Sequence, residues 1–95
     1  MKKTTVVHCR KDYYDVYIGR PSIWGNPFEI GRHGTRGQVI EKYREHVLKD
    51  PLLKSQLLDL DGKVLGHWCK PAACHGDVLV NLIEKMKRGD LKIIF

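Results

Sequence analysis

The clearest alternation of strand and helix patterns lies in residues 63–95, KVLGHWCKPAACHGDVLVNLIEKMKRGDLKIIF. Residues 63–69 are rich in strand-forming side chains and predict a buried strand, which a proline-containing loop follows. A helix is predicted from Cys74 onwards, because apolar residues then recur at helical spacing as far as Gly89, a suitable C-terminal stop. Residues 91–95 predict a closing strand. The order strand, helix, strand is typical of an α/β fold.

Two further helices are predicted by their N-terminal signals. Thr35-x-x-Gln38 has the form of a capping box, so a helix should start there and run to about Lys49. Asp50-Pro51 predicts a fresh N-cap followed by proline at the first position of a short second helix.

Two short strands are predicted near the N-terminus, at residues 4–9 and 16–18, where β-prone side chains are bounded by turn signals. Ninety-five residues are too few for two separate cores. The sequence therefore predicts one α/β domain, residues 1–95, with a short mixed sheet of about four strands and three helices. If the first strand neighbours residues 63–69, it brings His8 and Cys9 towards the same edge of the sheet.

The net charge of +6 predicts an anionic partner, either a nucleotide-like small molecule or nucleic acid. No stretch approaches the roughly 20 apolar residues needed to cross a bilayer, and the N-terminus does not resemble a secretory signal. We therefore expect a cytoplasmic protein, in which three cysteines stay reduced or serve catalysis or metal binding.

Five chemically capable side chains cluster around the predicted junction between strand and helix near residues 69–77: His67, Cys69, Cys74, His75 and Asp77. In open α/β sheets, ligands bind beyond the carboxyl ends of strands, where helix N-termini direct amides at anions. The helix dipole also favours a cysteine thiolate at such a position. The sequence thus predicts a functional site at this junction.

Three interpretations of this cluster stay open. In a catalytic site, Cys74 is the nucleophile or His75 the general acid or base, and Asp77 orients the histidine or a substrate hydroxyl. In a zinc site, His67, Cys69, Cys74 and His75 are the ligands, although their spacing matches no standard zinc motif. In a structural interpretation, the cysteines are small buried hydrophobes and Asp77 caps the helix.

A second candidate region is the loop at residues 19–28, GRPSIWGNPF. Arginine can hold a phosphate or carboxylate, and an indole can stack on a base. Alternatively, Trp24 and Phe28 fill the core. A following glycine-rich segment, residues 31–37, offers arginines and helix amides to an anion. The candidate ligand-binding residues are Arg20, Ser22, Trp24, Asn26 and Arg32.

The pairing of VYIGRPSIWGNPF at 16–28 with WCKPAACHGDVL at 68–79 resembles a phage and bacterial family catalogued as domain of unknown function four-three-two-six. The resemblance covers roughly residues 5–85 and implies no particular reaction. Members of that family usually carry cysteine at the position of His67. Histidine can replace cysteine as a metal ligand or as a packing residue, so both the zinc and the structural interpretation stay open.

The leading hypothesis is a small enzyme or ligand-binding domain that acts on a nucleotide, nucleoside or nucleobase derivative. Trp24 would stack on the base, Arg20 would hold the anionic group, and the Cys-His-Gly-Asp segment would supply chemistry. Alternatives are a phage-type protein that sequesters a nucleotide unaltered and a zinc-stabilised module that binds nucleic acid or a partner. A homodimer that completes the pocket is compatible with each of them.

Overall fold

The structure is a computed structural model that describes residues 3–68 and 74–89 of the chain. These residues form three strands, β1 (Thr5–His8), β2 (Val16–Tyr17) and β3 (Val64–His67). The helices are α1 (Arg36–Lys49), α2 (Pro51–Gln56) and α3 (His75–Lys87), and a short 3₁₀-helix, Leu57–Leu60, follows α2. The predicted α/β class and the three predicted helices are therefore confirmed.

The sheet has the strand order β1-β3-β2, and both strand pairs are parallel. The predicted adjacency of the first strand to residues 63–69 is confirmed, since His8 lies opposite His67. The predicted mixed sheet of about four strands is corrected to three parallel strands in the described residues. The predicted closing strand at 91–95 lies outside those residues, as do Cys69 and the loop at 70–73.

The parallel arrangement depends on a short crossover without a helix. Strands β1 and β2 flank β3 on opposite sides, so residues 9–15 must cross over β3. Tyr14 covers β3 at Gly66, where an added Cβ would lie 2.6 Å from the Tyr14 Cγ atom. The Asp15 amide then donates to the Val64 carbonyl at 2.7 Å. Glycine at position 66 thus leaves room for the crossing segment.

The helix starts follow the predicted capping chemistry. The Thr35 hydroxyl accepts a hydrogen bond from the Gln38 amide, while Gln38 Oε1 accepts one from the Thr35 amide, which completes the capping box of α1. The Asp50 carboxylate accepts from the amides of Leu52 and Leu53 at the start of α2.

No helix in the described segments combines the length and apolar character needed to span a membrane.

Helix α3 packs its apolar stripe against the inner face of the sheet. The buried residues of this stripe are Val78, Leu79, Leu82 and Ile83. At the start of the helix, a Cβ added to Gly76 would lie 2.9 Å from Ile18 Cδ1 and 3.0 Å from both Val6 Cγ atoms. The absence of a side chain at Gly76 therefore lets the N-terminus of α3 sit directly on β1 and on the end of β2.

Candidate functional site

A cavity of about 380 Å³ lies at the carboxyl ends of β2 and β3, between the N-terminal turns of α1 and α3. Its walls come from the loop after β2, the start of α1, the end of β3 and the start of α3. The polar side chains that line it are Arg20, Asn26, Glu29, Arg36, His67, Cys74 and His75. The cavity thus occupies the position at which open α/β sheets usually bind ligands.

The N-terminus of α3 is organised by Asp77. The Asp77 Oδ2 atom accepts a hydrogen bond from the Cys74 amide at 3.1 Å, so the carboxylate caps the helix, as the structural interpretation expects. Cys74 is buried and lines the cavity, whereas Asp77 does not. Two of the three candidate catalytic residues, Cys74 and His75, therefore reach the cavity.

The His75 ring is fixed by a backbone carbonyl. Its Nε2 atom lies 2.7 Å from the Ile18 carbonyl oxygen, and the residue is only 3% exposed. Because a carbonyl accepts only, Nε2 carries the proton and the neutral ring keeps Nδ1 as an acceptor. Burial lowers the pKa of His75, Arg20 lowers it further, and the bond to Ile18 and the charge of Asp77 act in the opposite direction.

His67 is a second neutral imidazole beside His75. The two ring centroids lie 4.2 Å apart, with an interplanar angle of 84°. Burial, followed by the neighbouring charges of His75, Arg20 and His8, lowers the pKa of His67 to about 4. At neutral pH the floor of the cavity therefore holds uncharged rings, which can exchange hydrogen bonds with a ligand.

The lowered pKa of His67 predicts a loss of stability in acid. In the unfolded chain the histidine binds a proton more readily than in the folded chain, so its contribution is complete above about pH 6.5 and falls as the pH decreases to about 4. Allowing for solvent screening, we expect the free energy of unfolding to decrease by about 2 kcal/mol over this window. Urea unfolding at pH 7 and pH 4.5 measures it.

The matched variant is His67→Gln, which removes the titrating group but keeps a polar side chain. We expect the free energy of unfolding of this variant to depend less steeply on pH in acid. The remaining dependence arises from other groups such as His75. An acid dependence as steep as that of the unmodified protein would contradict the assignment to His67.

Two guanidinium groups give the cavity a net positive lining. Arg20 Nη1 lies 3.1 Å from Glu29 Oε1, and both side chains are exposed. Arg36 is the first residue of α1. The two arginines, one glutamate and two neutral histidines together contribute one net positive charge at neutral pH, and Cys74 is the remaining titratable residue of the lining.

Trp24 does not offer its ring to this cavity. The residue is 5% exposed and belongs to the hydrophobic core, and its carbonyl accepts a hydrogen bond of 2.6 Å from the Tyr43 hydroxyl. The expectation that Trp24 stacks on a base is therefore corrected in favour of the alternative core role, because burial leaves no accessible ring face. The apolar lining comes instead from Phe28, Ile30, Val39 and Ile40.

The other predicted binding residues are placed differently from one another. Asn26 lines the cavity, but its Nδ2 donates to the Val39 carbonyl and its Oδ1 accepts from the Phe28 amide. Ser22 and Arg32 do not line the cavity.

Sequence reasoning missed the place of Glu29 in the cavity. Arg36 carried a signal, since it stands in the glycine-rich segment at a predicted helix start. Nothing in the local pattern distinguishes Glu29 from an ordinary surface carboxylate.

The zinc interpretation has no support in the described residues. Within residues 3–68 and 74–89, no group of three or more histidine, cysteine, aspartate or glutamate side chains is arranged to hold a metal ion. The Nε2 atom of His75 is already directed at the Ile18 carbonyl. Cys69, the fourth candidate ligand, lies outside the described residues.

Comparison with known proteins identifies relatives in two viruses. An uncharacterised 12.4 kDa protein in the nrdA-td intergenic region of Enterobacteria phage T4 is 31% identical over 93 residues, covering 93% of this chain and 84% of the relative. The uncharacterised protein R718 of Acanthamoeba polyphaga mimivirus is 32% identical over 94 residues, covering 80% and 72% respectively. No solved structure matches the chain. Residues 2–85 match the profile of the family described as Domain of unknown function (DUF4326), and the chain therefore belongs to that family.

Proposed function

We propose that the chain binds a small, nucleotide-like anion in the cavity between α1 and α3. The observation that carries this proposal is the convergence of Arg20 and Arg36 with the N-terminus of α3 at the carboxyl ends of parallel strands. Arginine forks and helix N-termini both favour phosphate and carboxylate groups. The geometry thus supplies complementary groups for one anionic end of a ligand.

The exposed ion pair between Arg20 and Glu29 leaves Arg20 available for exchange with a ligand. Exposed pairs contribute only about 0–1 kcal/mol, so a phosphate that approaches Arg20 displaces Glu29 at little energetic cost. The neutral rings of His67 and His75 provide hydrogen-bonding atoms in the same cavity.

An apolar wall lies in the same cavity as these charges. Phe28, Ile30 and Ile40 contribute it, and a nucleobase or another flat heterocycle can rest against such side chains. The volume of about 380 Å³ falls in the range of small-molecule sites, at its lower end. This combination supports a ligand with one planar ring system and one anionic group.

Binding without turnover is the version that the geometry favours. Asp77 caps α3, the Nε2 proton of His75 is directed at Ile18, and the Cys74 side chain accepts from the Asp77 amide in the capping box of α3, so all three candidate catalytic groups already have structural partners. Catalysis by Cys74, with the Nδ1 atom of His75 as a base, is the second candidate, because both residues line the cavity.

The binding test uses calorimetry with adenosine, guanosine, cytidine and uridine monophosphates, and with the matching nucleosides. For a monophosphate that binds, we expect Arg36→Ala to weaken affinity by about tenfold or more, since a hydrogen bond to a charged group contributes about 1.5–3 kcal/mol. The matched control is Arg32→Ala, which removes an exposed arginine outside the cavity lining.

Equal losses of affinity in Arg36→Ala and Arg32→Ala would show that binding depends on the overall positive charge of the chain and not on the cavity. Binding of none of these ligands would reject the nucleotide-like class. Incubation of a bound ligand followed by mass analysis then separates the two versions: an unaltered ligand supports sequestration, whereas a product lost in Cys74→Ser supports catalysis. Native mass spectrometry of protein purified without chelator tests the zinc alternative through a metal-sized increment.

A further inference from the structure

A second surface lies on the face of the sheet opposite α3. We call it the aromatic strip and define it by Tyr13, Tyr14, Tyr17, Trp68 and Arg10. The Tyr14 and Tyr17 ring centroids are 6.2 Å apart, and the Trp68 Nε1 atom donates a hydrogen bond of 2.9 Å to the Tyr17 hydroxyl. These contacts connect the rings of the crossover segment and β2 to the residue that follows β3.

The rings of the aromatic strip are unusually exposed for their size. Tyr13 is 81% exposed, Trp68 is 51% exposed and Tyr14 is 37% exposed. In the described part of the chain, the helix that packs on the sheet, α3, lies on the other face, against Val6 and Ile18. Clusters of exposed rings on a monomer usually mark a contact surface for another molecule.

Cationic side chains accompany the rings. The Arg10 guanidinium lies 5.5 Å from the centroid of the Trp68 ring, and Lys11 is exposed next to it. Asp12 is also exposed, but the Asp15 carboxylate is turned to the backbone, where it accepts from the Val64 amide at 2.8 Å. The aromatic strip therefore combines planar rings with two cations and two carboxylates, on a chain whose net charge is +6.

We propose that the aromatic strip binds single-stranded nucleic acid. Bases stack on tyrosine and tryptophan rings, and each such stack contributes about 1–3 kcal/mol, while arginine and lysine hold the phosphate backbone. Tyrosine, tryptophan and arginine are also common at protein interfaces, and the net charge of +6 is what favours an anionic partner here. This site is separate from the cavity and does not depend on the function proposed for it.

The chain contains its own reporter for this test. Of its two tryptophans, Trp24 is in the core and Trp68 is in the aromatic strip, so quenching by a bound base comes from Trp68. We would titrate the protein at low salt with twelve-residue oligo-dT and oligo-dA, following tryptophan fluorescence and the anisotropy of a labelled strand. We expect quenching, and an affinity that decreases steeply as salt increases.

Two variants and a control locate the binding. Trp68→Ala is expected to weaken affinity by about tenfold, and Tyr13→Ala by about fivefold or more, by loss of one stacked base each. Tyr13 is so exposed that its removal leaves the fold intact even if Trp68→Ala disturbs the contact with Tyr17. The control Leu52→Ala removes an exposed apolar side chain on α2 and should leave affinity unchanged.

Three results would overturn the proposal. The first is the absence of binding and quenching with both oligonucleotides at low salt. The second is an equal affinity of the Tyr13→Ala, Trp68→Ala and Leu52→Ala variants for the oligonucleotides. That result would indicate that charge attraction at another surface causes the binding. The third is a dimer of the unmodified protein that Tyr13→Ala converts to a monomer, which assigns the aromatic strip to an interface between two copies of the chain.

Discussion

Replacement of Trp24 by alanine is expected to lower the free energy of unfolding by about 3–5 kcal/mol, the range for a large aromatic side chain removed from a core. The ring is buried among the core residues, and the Trp24 carbonyl accepts the hydrogen bond of the Tyr43 hydroxyl. The void that the substitution leaves in the core therefore also disturbs this buried hydrogen bond. Urea unfolding followed by circular dichroism measures the change. Trp24→Phe, which keeps most of the apolar volume, should lose about half as much.

The neighbouring residue supplies the control. Ile23 is exposed, and Ile23→Ala should change stability by no more than about 0.5 kcal/mol. If Trp24→Ala were as stable as Ile23→Ala and instead lost affinity for a nucleotide, the ring would serve a ligand and the core assignment would be wrong. Domains of this size have a total stability of about 5–15 kcal/mol, so Trp24→Phe keeps the test informative if the alanine variant unfolds.

The helices could be predicted from the sequence because their signals are local. Thr35 and Gln38 are three residues apart and satisfy each other's backbone amides, and Asp50 caps the turn that follows it. The apolar stripe of α3 repeats at helical spacing along residues 78–86. Each of these signals requires only neighbouring residues, so each can be recognised in the sequence without knowledge of the fold.

The sheet could be predicted only in part because its pairing is non-local. Short strands specify neither their partners nor their direction, and the parallel order depends on Tyr14 crossing over Gly66, more than fifty positions away in the chain. A glycine in a strand indicates a close approach of other atoms, but the sequence does not name the residue that approaches.

The candidate site shows the same division between local and non-local signals. The start of α3 places Cys74 and His75 at the carboxyl end of β3, as a strand followed by a helix requires. Whether Trp24 or Phe28 faces the cavity depends on how their shared loop packs against α1, where Asn26 donates to the Val39 carbonyl. Composition alone does not determine the outcome, because both residues carry large aromatic rings that favour burial.

Replacement of His75 by alanine is expected to lower the free energy of unfolding by about 2–4 kcal/mol. The change leaves the buried Ile18 carbonyl without its donor, a loss of about 1–3 kcal/mol, and removes a ring that contacts Tyr43 at 4.8 Å and His67 at 4.2 Å between centroids. Urea unfolding at pH 7 measures it, because His75 is neutral there and its lowered pKa does not add a titration.

His75→Gln separates the structural role of this residue from a chemical one. The glutamine amide can donate to the Ile18 carbonyl, so this variant should recover most of the stability that His75→Ala loses, although it cannot act as an acid or base near neutral pH. A folded His75→Gln protein that binds its ligand normally but no longer converts it would establish general acid–base catalysis. Normal stability of His75→Ala would contradict the structural role, since the bond to Ile18 is what fixes the ring and, with Asp77, the start of α3 beside the cavity.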